Sequence, residues 1–181
     1  MRYDEYIATQ GISAIKDVKA LLFDIDGVLT DGRFGYDGTD NEVKFFHARD
    51  GHGMKLALRS GLKVGVLSGR ASAANRQRAT DIGFTYFYEG EKDKRDAFQR
   101  LLKETGLVAN DFLYMGDDLV DVPVFKEVAV SVTVADAPEY MDEHCDFRTR
   151  LPGGHGAVRE VIDILLKEQG RWSNLTERYI A

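Results

Sequence analysis

A three-layer α/β fold around a mostly parallel sheet is what this sequence predicts, on three observations. Short apolar runs alternate with longer amphipathic segments along the chain. Three of those segments stop at a glycine: Gly61, Gly83 and Gly106. Several apolar runs are followed directly by acids, hydroxyls or cations. The first two observations signal strand–helix–strand units, whose crossovers require parallel pairing. The third marks a ligand site, because open α/β sheets bind ligands at the carboxyl ends of their strands.

The elements follow in order. Residues 1–18 read as a helix or loop leading into a buried strand, Ala20 to Phe23. Glycine-punctuated residues 32–41, with Arg33–Tyr36 and Glu42–Phe46 as flanks, predict a β-hairpin spanning 32–46. Gly53 to Ser60 reads as a helix, Lys63 to Leu67 as the second core strand, and Ala71 to Ile82 as a helix. An aromatic strand, Phe84 to Tyr88, and an amphipathic helix, Asp93 to Thr105, come next. Asp111 to Met115 and the β-branched Val128 to Val134 predict two more strands. Ala157 to Gln169 reads as the last helix, followed by a tail over 170–181.

The 181 residues, 44% apolar and without a repeat or linker, are expected to form one domain over 1–181. A net charge of −6 argues against a nucleic-acid binder, which carries a basic field. The single cysteine, Cys145, allows no internal disulfide and has no catalytic signature around it. The N-terminal residues carry acids where a signal peptide needs bases, and no apolar run is long enough to span a bilayer. A cytoplasmic protein is expected.

The chemistry-bearing residues collect at the ends of four predicted strands. Asp24 and Asp26 follow the first, two apart, so the strand period points both carboxylates the same way. Such a pair repels unless a proton or cation relieves it. Gly116, Asp117, Asp118 and Asp121 follow the fourth strand. Two acidic clusters without Cys or His favour a hard cation such as Mg²⁺ over zinc. Ser68 and Gly69 follow the second strand and are read as the start of a helix. There Ser68 is either an N-cap or a hydroxyl offered to a phosphate. Lys92 and Lys94 stand near a helix N-terminus, where the macrodipole disfavours cations, so one of them needs an anionic partner. Arg70 is either a helix-surface residue or a bidentate carboxylate binder.

These residues resemble a known family. FDIDGVLTD, Phe23 to Asp31, is similar to the first motif of the haloacid-dehalogenase-like phosphatases. Ser68 matches their second motif, Lys94 better than Lys92 their third, and GDDLVD, Gly116 to Asp121, their fourth. The short spacing between motifs resembles the capless, Rossmann-like members, with the hairpin as a flap. The hairpin, FFHARDGHGMK and RLPGGHGAVREV further resemble the 3-deoxy-D-manno-octulosonate 8-phosphate phosphatases of lipopolysaccharide sugar synthesis. Close relatives of those act on nonulosonate 9-phosphates, which stands as the alternative substrate class. A non-catalytic sugar-acid-binding module is the alternative of another kind, and a phosphosugar mutase a third; mutases of this fold normally carry a cap.

The resemblance implies a mechanism. Asp24 is the nucleophile that forms an aspartyl-phosphate, and Asp26 the general acid and base. Mg²⁺ is expected on Asp24, the Asp26 carbonyl and Asp117, with Asp118 or Asp121 in support. Ser68, Gly69 and Lys94 bind the phosphate. Thr30, Arg49, Lys55 and Arg70 are weaker expectations for the sugar acid. The implied assembly is a homotetramer in which hairpins pack together and neighbours share sites; a hairpin folded back on its own domain is the alternative. The run Gly153-Gly154-His155-Gly156 is expected to let the C-terminal tail bend over an active site.

Overall fold

A computed structural model describes residues 1–10, 13–38 and 41–180. The elements in chain order are α1 (Tyr3–Gln10), α2 (Ser13–Asp17), β1 (Ala20–Phe23), β2 (Gly35–Tyr36), β3 (Glu42–Val43), α3 (Ala48–Arg59) and β4 (Lys63–Leu67). There follow α4 (Ala73–Ile82), β5 (Tyr86–Tyr88), α5 (Lys94–Thr105), β6 (Phe112–Gly116) and α6 (Val122–Phe125). The chain closes with β7 (Val130–Thr133), β8 (Phe147–Arg148), α7 (Ala157–Glu168) and α8 (Trp172–Ile180).

Six strands form one sheet in the order β5-β4-β1-β6-β7-β8, every pairing parallel. β2 and β3 form a separate antiparallel pair. The chain runs from β1 outward to β4 and β5, then crosses back to β6 beside β1. That reversal opens a crevice at the carboxyl ends of β1 and β6, the switch point of a doubly wound sheet.

β1 is buried on both faces, and its alternation sorts the two outer layers. Leu21 and Phe23 pack in the cluster of Met54 from α3 and Val158 and Ile162 from α7. Ala20 and Leu22 pack in the cluster of Phe98 and Leu101 from α5 and Val124 from α6. Helices on both faces make the three layers, as expected. Among the described residues no cap domain interrupts them; only the hairpin is inserted between β1 and α3.

Several elements differ from the sequence expectation. α3 begins at Ala48, five residues before the expected start, and includes Gly51 and Gly53. Glycine costs a helix about 1 kcal/mol relative to alanine, but both glycines are buried. A side chain at Gly53 would lie 2.8 Å from Arg159 of α7, so close helix packing outweighs propensity. The hairpin strands are two residues each; Thr39 and Asp40, within the expected hairpin, lie outside the described residues. β8 is too short to show a period. The expected tail carries a helix over Trp172–Ile180: Trp172 and Leu175 of α8 pack against the core, and the Tyr179 hydroxyl accepts a hydrogen bond from Arg59 at 2.7 Å.

Candidate active site

Alternation along β1 places the face of Ala20 and Leu22 toward α5, and Asp24 follows on that side. Its carboxylate accepts the Ile25 N–H at 2.7 Å. α5 is capped by Asp93, which accepts the N–H groups of Arg95 and Asp96 at 2.9 and 3.1 Å. The first residue of that helix is Lys94, only 4% exposed. Its ammonium lies 3.0 Å from Asp24 and 2.6 Å from Asp121. A cation at this end of a helix is disfavoured by the macrodipole; two buried carboxylates offset that. Lys92 is exposed at the rim of the same pocket.

Asp121 is fully buried in the turn after β6. One oxygen accepts Lys94 and the Tyr114 hydroxyl, the latter at 2.5 Å. The other accepts the N–H groups of Asp117 at 2.9 Å and Asp118 at 3.2 Å. Asp121 therefore folds the Gly116–Asp121 loop around itself. Asp24, Asp117 and Asp121 each bring an oxygen within 4.8 Å of the others. Gly27, at φ 97°, leaves the room this needs, because a Cβ there would fall 2.0 Å from Asp117.

Asp26 does not share the direction of Asp24. The strand ends at Phe23, and a wide turn over Ile25–Leu29, broken by Asp26 and Gly27, replaces the pleat. The period of two therefore fails at the step where it was applied. The Asp26 carboxylate faces the hairpin, where Lys44 donates to both its oxygens at 2.6 and 2.9 Å. Both carboxylates still line one pocket of about 410 Å³.

Ser68 and Gly69 line that pocket too, but they do not begin a helix. The cap of α4 is Ser72, which accepts the Asn75 N–H at 3.1 Å. The Ser68 hydroxyl donates to the Arg70 carbonyl at 3.1 Å. Arg70, also at the pocket, pairs with Glu42 of the hairpin and lies 4.2 Å over the Phe34 ring. Asp118 caps the short turn after it and accepts the Tyr140 hydroxyl at 2.6 Å.

Three weaker expectations fall away from the pocket. Thr30 is fully buried; its hydroxyl donates to Ile25 at 3.3 Å and accepts the Gly27 and Gly32 N–H groups, so it ties the turn. Arg49 and Lys55 are exposed on α3 and do not line the cavity. The Gly153–Gly156 run also differs from the expected flexible bend. It packs on the turn after β1: the Gly154 N–H donates to Val28 at 2.9 Å, and a Cβ at Gly153 would meet the Gly27 carbonyl at 1.7 Å. Asp50 of α3 holds the far side by accepting the Gly156 and Arg159 N–H groups. The run is a buttress, and α7 and α8 follow it. Cys145 is half-buried outside this pocket, its thiol pushed up to about 11 by burial.

The family model for haloacid dehalogenase-like hydrolases matches residues 80–161. The 3-deoxy-D-manno-octulosonate 8-phosphate phosphatase of Escherichia coli is 38% identical over 91% of this chain and 88% of its own. The chain belongs to the haloacid dehalogenase-like hydrolases. Solved structures of the family agree. The enzyme of the same name from Moraxella catarrhalis, in complex with magnesium, phosphate and KDO, superposes with a TM-score of 0.90. It shares 30% identity over 98% of this chain and 99% of its own. A cobalt-bound form from Haemophilus influenzae gives 0.83 at 41% identity, over 87% and 92% of the two chains.

In this chain the carboxylates are held where they repel. Burial raises Asp24 to about 7, with Asp121 adding and Lys94 opposing. Burial raises Asp117 to about 8, with Asp24 and Asp121 adding. Burial works against the Lys94 ammonium, but Asp24 and Asp121 outweigh it and raise its pKa. One lysine for three acids leaves an excess of negative charge, and a divalent cation with oxygen ligands fits that deficit. Sequence pattern alone missed Tyr114 and Lys44. Tyr114 reads as an ordinary strand aromatic, and the hairpin gives no sign that Lys44 is buried.

Proposed function

We propose that this chain is a Mg²⁺-dependent phosphomonoesterase that hydrolyses 3-deoxy-D-manno-octulosonate 8-phosphate to the free sugar acid and phosphate. The observation that carries the substrate is the 38% identity, over 91% of the chain, to a phosphatase of that name. The carboxylate cluster supports the chemistry. Asp24, Asp117 and Asp121, with the Asp26 carbonyl, are the groups that would hold or support the cation. Bound there, Mg²⁺ supplies positive charge against the carboxylates and the phosphate dianion.

The chain's own residues carry the steps. An Asp24 oxygen attacks phosphorus, the bond to the sugar oxygen breaks, and that oxygen takes a proton from Asp26. Water then attacks the aspartyl-phosphate, giving its proton to Asp26, and the Asp24–phosphorus bond breaks to release phosphate. Lys94 and Ser68, with the Gly69 backbone, face the phosphoryl oxygens, and Lys94 lowers the repulsion between Asp24 and an anionic substrate. Arg70 is proposed to meet the sugar carboxylate at the rim.

The single domain over 1–181 and a cytoplasmic site of action belong to the same reading, as does a homotetramer. Tyr36 and Phe45 of the hairpin, 67% and 77% exposed, support the assembly, since apolar surface of this kind is normally covered. Arg49 and Lys55, exposed on α3, would then serve a neighbour's site. Light scattering at micromolar concentration is expected to give about four chains per particle, and a fully active monomer would overturn site sharing. The activity itself is tested by phosphate release from a panel of eight- and nine-carbon sugar-acid phosphates. EDTA is expected to abolish it and Mg²⁺ to restore it. Preference for a nine-carbon substrate would change the substrate and keep the mechanism. No release from any of them would leave a non-catalytic module.

A further inference from the structure

Lys44 stands just past β3, at the base of the hairpin, and its side chain has no exposed surface. The hairpin around it is open: Tyr36 and Phe45 lie largely in solvent. A buried ammonium loses its hydration, at a cost of several kcal/mol, unless a partner is fixed against it. Its partner here is Asp26, met at both oxygens, at 2.6 and 2.9 Å. Glu42 stands 3.6 Å away on the other side. Arg70, tied to Glu42 and lying over Phe34, reaches within 4.0 Å of Asp26. Hairpin residues thus grip one side chain of the turn after β1, and that side chain keeps an edge on the pocket.

We infer that Lys44 is the positioning residue for Asp26, so the hairpin supports the proton-transfer step from within its own chain. The inference rests on the reading of Asp26 as proton donor and acceptor. A proton donor works only within hydrogen-bond reach of the leaving oxygen. Displacement by about 1 Å can cost about 100-fold. Asp26 sits on a turn, without a strand to fix its direction, and a carboxylate there has several staggered orientations. Two contacts from one immobile ammonium select among them in the ionised form, and the contact to the unprotonated oxygen remains when the other oxygen carries the proton. Lys44 is enclosed and paired, so it holds Asp26 and does not itself touch substrate.

The test uses two leaving groups. A sugar alkoxide must be protonated as it departs, whereas 4-nitrophenolate leaves without a proton. Lys44→Met in the full-length Mg²⁺-loaded protein is expected to lower kcat/KM, which covers only the steps through departure of the leaving group, on 3-deoxy-D-manno-octulosonate 8-phosphate by about 10- to 100-fold, part of what a positioned acid supplies. It should lower kcat/KM on 4-nitrophenyl phosphate far less, because the later hydrolysis of the aspartyl-phosphate, shared by both substrates, does not enter that ratio. Lys44→Arg should recover part of the loss, and Lys44→Met added to Asp26→Asn should cost nothing more. Equal losses in kcat/KM on both substrates, or a further loss in the double variant, would overturn the role. Lys44→Gln replaces Lys44→Met if the latter fails to fold. Asp26→Asn alone separates the two ideas. If it does not discriminate between leaving groups, the reading of Asp26 fails. If it does and Lys44→Met does not, only the positioning role of Lys44 fails.

Discussion

Lys94 is the residue on which the carboxylate cluster depends. It neutralises part of Asp24 and Asp121 in an environment that excludes water, and its own burial is tolerable only because they are there. Removing one partner from a buried ionic group is costly because it strands the others, by about 3–5 kcal/mol. Lys94→Met should therefore lower thermal stability markedly without metal, and Mg²⁺ should recover part of it as it supplies the missing charge. A melting curve with and without Mg²⁺ checks both; an unchanged melting temperature without metal would contradict the pairing. Asp24→Asn makes the opposite prediction. It removes a like charge from the cluster and keeps the shape, so the fold should persist while turnover falls below about a hundredth, more than an assisting group would account for. Residual phosphate release above that level would show another nucleophile.

At the scale of elements, the site is held from behind. The turn after β1 carries Asp24 and Asp26, and its backbone is pressed by the 153–156 segment that leads into α7. A Cβ at Gly153 would overlap the Gly27 carbonyl. Gly153→Ala must therefore push the turn, and overpacking of this kind costs about 1–3 kcal/mol. Activity should fall with stability, although residue 153 does not line the pocket. Chemical denaturation alongside phosphate release measures both, and normal kinetics would show that the turn yields freely. Asp50 works one step further back, capping α7 from α3 through Gly156 and Arg159. Asp50→Ala should cost about 1–2 kcal/mol, the usual worth of a strong cap, and a smaller change would place α7's anchorage in its apolar face.

For the whole molecule, the acidic cluster couples folding to pH and metal. Asp24 rises from 3.8 to about 7 and Asp117 from 3.8 to about 8 when folded without a cation, chiefly through burial. The folded state then binds more protons than the unfolded chain between those values. Stability must fall as pH rises through that window. Metal-free protein is accordingly expected to melt at a lower temperature at pH 8 than at pH 5. Mg²⁺ should raise the melting temperature more at pH 8, where it competes with fewer protons. Scanning calorimetry across that range checks the sign; a metal-free protein that becomes more stable toward pH 8 would refute it.

The sequence by itself determined the layers and the strand ends. Strands buried on both faces must be apolar throughout, and glycine stops separate them from helices, so both are visible in a one-dimensional pattern. It also determined which residue types gather at the carboxyl edge, since Asp24, Ser68, Lys94 and Asp117 each follow a strand or open a helix. The same arithmetic failed where the backbone left regular geometry. A period of two aligned Asp26 with Asp24, but the chain had already turned. Ser68 stands where a helix start is expected, but the chain runs on to Ser72 before one begins. Glycine propensity hid the first turn of α3, because close packing on α7 overrode it. The partners of the acids were decided only by the tertiary structure. Lys44 and Tyr114 reach those acids from the hairpin and β6, Gly153 presses the turn from the segment before α7, and burial of a charge or closeness of two backbones is a property of surroundings that local sequence does not carry.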